Sequence, residues 1–293
     1  MRPVPVVWRG SSKKPRFFFI IIIYVMENIT VSDIIEVLDA IAPRSAAQKW
    51  DNVGLQVGHL KWPVRRVMIA LDAAPLVVQA ACERKIDLLV THHPLIFRPL
   101  SCVDFNTPVG RIVQLSAQHR LAVFSAHTNL DAVAEGLNDI LARKIGLFHM
   151  QDFIASETPD HNGIGRVGDL PEAHSLSSLA GSLRNLLGGT SVRFSGMPDM
   201  MVRRVAICTG SGGSLMDDFL QSGADVFITG DLRYHDARSA EWANVGMIDI
   251  GHFASEHLMV NALTERLDGI FRQRDLNVKV EACDLEKDPF IMV

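Results

Sequence analysis

Imidazole and carboxylate side chains gather in three short stretches of this chain, each beside a run that reads as a β-strand. The first is His92-His93, which follows Leu88-Leu89-Val90-Thr91 and precedes Pro94. Adjacent side chains on a regular strand point to opposite faces. Both rings reach one place only where the strand is ending, and Pro94 makes continuation in a central strand difficult. The second stretch is His127-Thr128-Asn129-Leu130-Asp131, just past the strand-like "LAVFSA". The third is His252 and Glu256, four residues apart on a predicted helix. That spacing puts them on one face, while His257 points elsewhere.

Imidazole and carboxylate together suit Zn, Mn, Fe or Ni. Several such groups, with one carboxylate able to bridge, suit a pair of metal ions about 3.5–4 Å apart. Each stretch alone has a simpler explanation. A strand-end histidine is more often structural than a ligand. An H-x-x-x-E pair on a helix is more often a surface ion pair, and an Asp after a strand is usually a helix cap. The metal reading gains from three stretches at three strand ends, because open α/β sheets gather their sites there.

Other stretches carry weaker signals. "CTGSGGS" (208–214) lies between a strand and a helix, but it fits neither a dinucleotide fingerprint nor a P-loop. A tight turn is the favoured reading, with a role in holding a substrate phosphate as the alternative. Asp51 and Asn52 either cap a turn or line a cavity. Tyr234 and His235 follow a strand end and are candidates to supply a proton near the metals. Ser125 lacks the G-x-S-x-G surroundings of an activated serine.

The elements that position these groups alternate between β and α. Helical periodicity covers 30–43, 75–85, 107–120, 134–147, 175–189, 214–223, 237–245 and 252–271. Strand-like runs cover 65–73, 86–93, 121–126, 152–157, 164–170, 191–196, 203–210, 224–231, 246–251 and 277–282. The fold class is therefore α/β, with two lobes built on largely parallel sheets covered by helices. Lobe one is expected over about 26–147 plus the C-terminal segment 252–293, and lobe two over about 148–251.

Composition narrows the function classes. The 293 residues carry a formal net charge of −4, with 48% apolar and 21% charged residues. The one basic block is Lys13-Lys14-Pro15-Arg16, so nucleic-acid binding by bulk charge is not indicated. The four cysteines, Cys82, Cys102, Cys208 and Cys283, form no CxxC pair, which fits a reducing, cytoplasmic setting. The apolar run at 17–25 is too short to span a bilayer. No small-x-small cleavage site follows it. Residues 1–25 are expected to be an extension upstream of a start at Met26, with a signal or anchor segment as the alternative.

Five stretches, in order, resemble the motifs of the Nif-three-like family, also labelled GTP cyclohydrolase 1 type 2 homologues. They are "WDNVGLQVG" (50–58), "THHPLIF" (91–97), "SAHTNLDA" (125–132), "ITGDLRYHD" (228–236) and "GHFASEH" (251–257). The resemblance runs from about residue 27 to residue 293. It implies a dinuclear metal site held by His92, His93, Asp131, His252 and Glu256, with Glu256 bridging and His127 close by. It implies two related α/β lobes and a toroidal homo-hexamer with the sites facing an internal cavity. The span between Gly146 and Arg203 is too short for the third domain that some members insert. Where the family usually has glutamate after the glycine of "ITGD", this chain has Asp231, expected to sit behind the ligands rather than among them.

The function implied is that of a metal-dependent hydrolase with two divalent ions, acting on a small molecule such as a nucleotide. The family label points to GTP ring-opening, by attack at C8 with release of formate. His127 or His235 is expected to transfer the proton. The competing readings are a non-catalytic metal-binding ring for storage, delivery or partner docking, and a metal-free scaffold.

Overall fold

A computed structural model of the chain describes residues 2–6, 21–25, 28–156 and 163–291. Near the N-terminus, β1 (Arg2–Val6) pairs antiparallel with β2 (Ile21–Val25). Residues 7–20 and Met26, the expected start, lie outside the described residues. Among the described residues, no helix is long and apolar enough to cross a membrane.

The next elements are α1 (Val31–Ile41), β3 (Gly54–Val57), β4 (Arg66–Ala70), α2 (Pro75–Glu83), β5 (Leu88–Thr91), α3 (Pro108–His119), β6 (Ala122–Ser125), α4 (Thr128–Asp131) and α5 (Leu137–Ile145). There follow β7 (Phe148–Asp152), β8 (Arg166–Ser175), α6 (Leu176–Leu186), β9 (Arg193–Ser195), β10 (Met201–Ser211), α7 (Met216–Gln221), β11 (Val226–Gly230) and α8 (Tyr234–Trp242). The chain continues through β12 (Gly246–Asp249), α9 (His252–Glu256), α10 (Leu258–Gln273) and β13 (Lys279–Ala282).

Two sheets result. The first has the order β13-β4-β5-β6-β3, parallel except for β3 at its edge. The interior strands β5 and β6 are buried along their whole length, as expected for a parallel sheet covered on both faces. On one face α1 and α10 pack Val31, Ile34 and Leu38 against Leu263, Leu267 and Phe271. On the other, α2 and α3 contribute Val77, Ala81 and Ile112. Pro75 and Pro108 occupy first-turn positions of those two helices, where a missing N–H costs nothing.

The second sheet has the order β7-β8-β10-β11-β12-β9. Its centre, β10-β11-β12, is parallel, but both flanks are antiparallel. Helices α5 and α6 cover one face and α7 and α8 the other. The lobe is therefore mixed at its edges, where short-range periodicity cannot distinguish a hairpin from a crossover.

Three local departures from the sequence reading have physical causes. The 252–271 helix is two helices, because the chain breaks at His257. Helix α9 packs on β10 and β11, whereas α10 packs on β4 and β13 of the other lobe, so one straight helix cannot serve both. The loop-like segment at 50–58 contains β3, whose start at Gly54 has φ +102 and hides the alternation of a strand. Strand β7 ends at Asp152, earlier than the 152–157 run; Glu157 lies outside the described residues.

The lobes share contacts. Leu137 of α5 belongs to the first core and Leu141 and Ala142 to the second. Beside α5, Arg166 of β8 is almost fully buried and pairs with Asp139. Its guanidinium also donates to Gly163 O at 2.8 Å, Gly165 O at 2.7 Å and Val133 O at 3.1 Å. Asp152 lies 3.3 Å from the same group. Arg166 thus reaches from the second sheet to the loop and helix that leave the first.

Candidate metal centre

Strands β4, β5 and β6 point the same way, so the residues beyond their ends share one edge: Asp72, His92-His93 and His127. Strands β10, β11 and β12 likewise end together, near Gly210, Asp231 and His252. The two edges face each other, and α9 brings His252 and Glu256 to meet the histidines of the first lobe.

Four imidazoles are oriented alike. His92 Nδ1 lies 2.9 Å from Ala126 O, His93 Nδ1 2.9 Å from Asp72, His252 Nδ1 2.7 Å from Asp231, and His127 Nδ1 3.0 Å from Asp51. A carbonyl oxygen only accepts, so His92 Nδ1 carries the proton and its Nε2 presents a lone pair. Carboxylates do the same for the other three rings. Such outer oxygens are how proteins set the tautomer and aim of metal-binding histidines.

The Nε2 atoms converge on Glu256. Its Oε2 lies 2.9 Å from both His93 Nε2 and His252 Nε2, which are 3.3 Å apart. Its Oε1 lies 3.7 Å from His92 Nε2, which is also 3.7 Å from Asp131 Oδ1. One carboxylate therefore offers one oxygen to each of two groups. Among the described residues, buried His92 Nε2 and Asp131 Oδ1 have no hydrogen-bond partner. Buried polar atoms are rarely left so. Two acceptors facing the same space are what a cation would satisfy, so the residues fit a metal. Two sets can hold an ion, with ligand atoms mutually within 4.8 Å: His93, His252 and Glu256, and His92, His93 and His127.

The same carboxylates also favour a second proton on His92, His93 and His252, so a proton and a metal ion would compete for their Nε2 lone pairs. Burial opposes protonation of His93, but its bonds to Asp72 and Glu256 outweigh this and lift its pKa to about 10. Glu256 raises His252 to about 9 against burial, with help from Asp231. Burial would raise Glu256, yet the charge on His92 and the bonds from its neighbours hold it well below the usual carboxylate range. Burial also pushes Asp131 up, only partly offset by His92.

The structure brings together His92, His93, Asp131, His252, Glu256 and His127. It does not bring in His235, which is exposed on α8 with its ring 5.4 Å from that of Tyr234. Asp231 takes the place expected, behind His252. It does so at φ +56, a left-handed conformation that Asp adopts more readily than most residues. Sequence reasoning missed Asp72 and Gly210, and left the part of Asp51 open. Asp51 accepts from Thr128 N at 3.1 Å as well as holding His127. The clue to Asp72 was its position after the β4 run, the same place that His92 and His127 occupy after theirs.

Replacing Asp72 by alanine frees His93 to rotate and to change tautomer. The expected result is a loss of about 10- to 100-fold in metal affinity with the fold retained, measured by competition against a chromogenic chelator. An unchanged affinity would show that Glu256 alone orients His93.

Known proteins resemble this chain over most of its length. The family model described as Duf34/NIF3 (NGG1p interacting factor 3) matches residues 29–289. A Clostridium acetobutylicum protein named GTP cyclohydrolase 1 type 2 homolog is 30% identical over 265 residues, covering 90% of this chain and 98% of that one. A Streptomyces coelicolor protein of the same name is 34% identical over 265 residues, covering 89% and 93%. Among solved structures, a hypothetical protein of Staphylococcus aureus superposes with a TM-score of 0.84 at 31% identity, covering 91% of this chain and all of that one. Reduced HcgD from Methanocaldococcus jannaschii gives 0.76 at 27% identity, covering 88% and 99%. The matched span contains both sheets and every residue of the cluster, and the chain belongs to the Duf34/NIF3 family.

Proposed function

We propose that this protein is a dinuclear metal-dependent hydrolase acting on a nucleotide or a related small molecule. The observation that carries the reading is the divided carboxylate of Glu256, with one oxygen toward His92, whose Nε2 also faces Asp131, and the other toward His93 and His252. In this reading His92, His93, Asp131, His252 and Glu256 would hold the divalent ions. The ligand set suits Zn, Mn, Fe or Ni. Bound there, the two ions would supply Lewis-acid activation of water and of the substrate's electrophilic centre.

The chain's own residues do the rest. His127 lies beside the cluster, its ring centroid 5.0 Å from that of His92 and 5.7 Å from that of His93. Asp51 holds its Nδ1, so Nε2 is the atom that takes and returns a proton. Thr128 in turn anchors Asp51, which keeps the imidazole pointed at the reacting atoms. Burial would raise Asp51, but its bonds from His127 and Thr128 prevail and keep it an anion, ready to stabilise an imidazolium. The names of the relatives support a nucleotide, with GTP ring-opening at C8 as the reaction. Assembly as a homo-hexamer enclosing the sites is part of the same proposal.

The test is elemental analysis of protein purified without chelator, followed by assay with GTP, with Glu256→Ala alongside. The expected result is about two ions per chain, lost with the carboxylate, and metal-dependent formate release. Bound metal with no turnover of nucleotides would move the protein to metal storage or delivery. No metal after reconstitution would overturn the site altogether.

A further inference from the structure

Two large aromatic side chains stand exposed beside the cluster. Trp50 is 60% exposed and Phe97 49%. Single exposed apolar residues are ordinary. These two touch, with ring centroids 5.8 Å apart in an edge-on arrangement, and both reach the same histidine. The Trp50 ring lies 6.2 Å from that of His127 and the Phe97 ring 6.5 Å from it. An aromatic corner therefore opens directly onto the residue proposed to move the proton.

The corner is held rigidly. Asn52 Nδ2 donates to Ile96 O at 2.6 Å, and Ile96 N donates to Gln56 Oε1 at 3.2 Å. Gln56 Nε2 donates back to Asn52 O at 2.7 Å. This clasp ties the segment bearing Trp50 to the segment bearing Phe97. Asp51, next to Trp50, is itself bonded to His127 and Thr128. The indole is thus set at a defined place relative to the cluster. Metal binding and proton transfer do not need it. Rigid, exposed π-surfaces beside a reacting centre suit a flat ring, because stacking accepts any base-like face and costs little ordering.

We infer that Trp50 and Phe97 form a stacking platform for a planar heteroaromatic ring of purine size, which they present edge-first to His127. This makes them specificity-determining residues: ring-bearing substrates are held, and phosphate chains alone are not selected. The inference rests on the reading of the cluster as a hydrolytic site.

The experiment titrates the metal-loaded full chain with GTP and, separately, with inorganic tripolyphosphate, which has no ring. Binding is read by equilibrium dialysis and by tryptophan fluorescence. The expected result is that GTP binds more tightly than tripolyphosphate and quenches the fluorescence. Trp50→Leu should weaken GTP by about 5- to 150-fold and remove most of the quench, while Trp50→Phe, which keeps a ring, recovers much of the affinity. Tripolyphosphate binding, metal content and elution volume should stay as in the parent chain. Equal affinities for GTP and tripolyphosphate, or no GTP binding at millimolar concentration, would overturn the inference. So would a Trp50→Leu chain that binds GTP normally but elutes as a smaller assembly, which would make the corner a contact between copies. If Trp50→Leu does not fold, Trp50→Phe and the two-ligand comparison on the parent chain decide the matter. Metal content and formate release, read independently, report whether the hydrolase reading has failed instead.

Discussion

Gly210→Ala is expected to remove metal from the site while leaving both lobes folded. Gly210 has φ +68, and a Cβ built there lies 2.1 Å from Glu256 Oε1, 3.1 Å from Glu256 Cδ and 3.6 Å from His252 Nε2. Real side chains do not tolerate the first of these distances, so something must move. The backbone has little freedom, because Gly210 N donates to Ser255 Oγ at 2.9 Å. The carboxylate is the softer partner, and its displacement separates Oε1 from His92. Left-handed backbone adds a cost of about 1–2 kcal/mol for a non-glycine residue. Losing a bridging ligand should lower affinity by at least the hundredfold at the upper end of what an outer-shell change costs, roughly 10²-fold or more. Metals per chain by elemental analysis, with far-UV circular dichroism as the control for folding, check this. A Gly210→Ala chain that keeps its full metal complement would show that Glu256 can bridge from another rotamer, and would weaken the assignment.

The second large effect concerns stability. Asp139→Ala leaves the buried guanidinium of Arg166 without its closest carboxylate. Removing one partner of a buried pair typically costs about 3–5 kcal/mol, because the remaining charge keeps its desolvation penalty. Asp152, 3.3 Å from Arg166, offsets part of this and places the expectation at the lower end, about 3 kcal/mol. Urea unfolding followed by fluorescence measures it. The double variant Asp139→Leu with Arg166→Met should recover most of the loss, since an apolar pair of similar volume often replaces a buried ion pair without cost. If the double variant is as unstable as Asp139→Ala, the three carbonyls that Arg166 binds matter more than its charge partner. Arg166 would then act as a hydrogen-bonded tie between lobes.

Much of the candidate site was legible because its residues are short-range signals. His92-His93 before Pro94 announces a strand that stops. His252 and Glu256 announce a helical face. Asp131 follows a strand by a few residues. Their convergence is a long-range fact, however, and nothing local shows that the end of β5 and the start of α9 meet. The orienting carboxylates were harder still. Asp72 and His93 are bonded although they follow different strands, and Asp72 by itself looks like any residue after a strand. Gly210 read as one glycine of a turn, since its reason, the Glu256 carboxylate above it, lies 46 residues further along the chain. His235 also stands in the right order after a strand, and it lies on the exposed side of α8. The α/β alternation was plain from periodicity. The antiparallel flanks of the second sheet were not, because pairing direction depends on where a strand comes to lie rather than on its composition.

The chain's return to its first lobe has a consequence for the order in which the protein can be made. Strand β13 pairs with β4, and α10 packs beside it. Beyond β13, the Glu286 carboxylate accepts from Leu71 N and Asp72 N, each at 2.8 Å. Asp72 in turn aims His93. The second lobe is therefore an insertion within the first. A ribosome delivers residues 28–145 well before the strand, helix and carboxylate that finish their sheet. The inserted lobe can close as soon as it emerges, whereas the first waits with one edge bare until the final segment arrives. The histidine cluster is then completed late in biosynthesis, and a chain stopped shortly before β13 would carry its histidines in a half-built lobe.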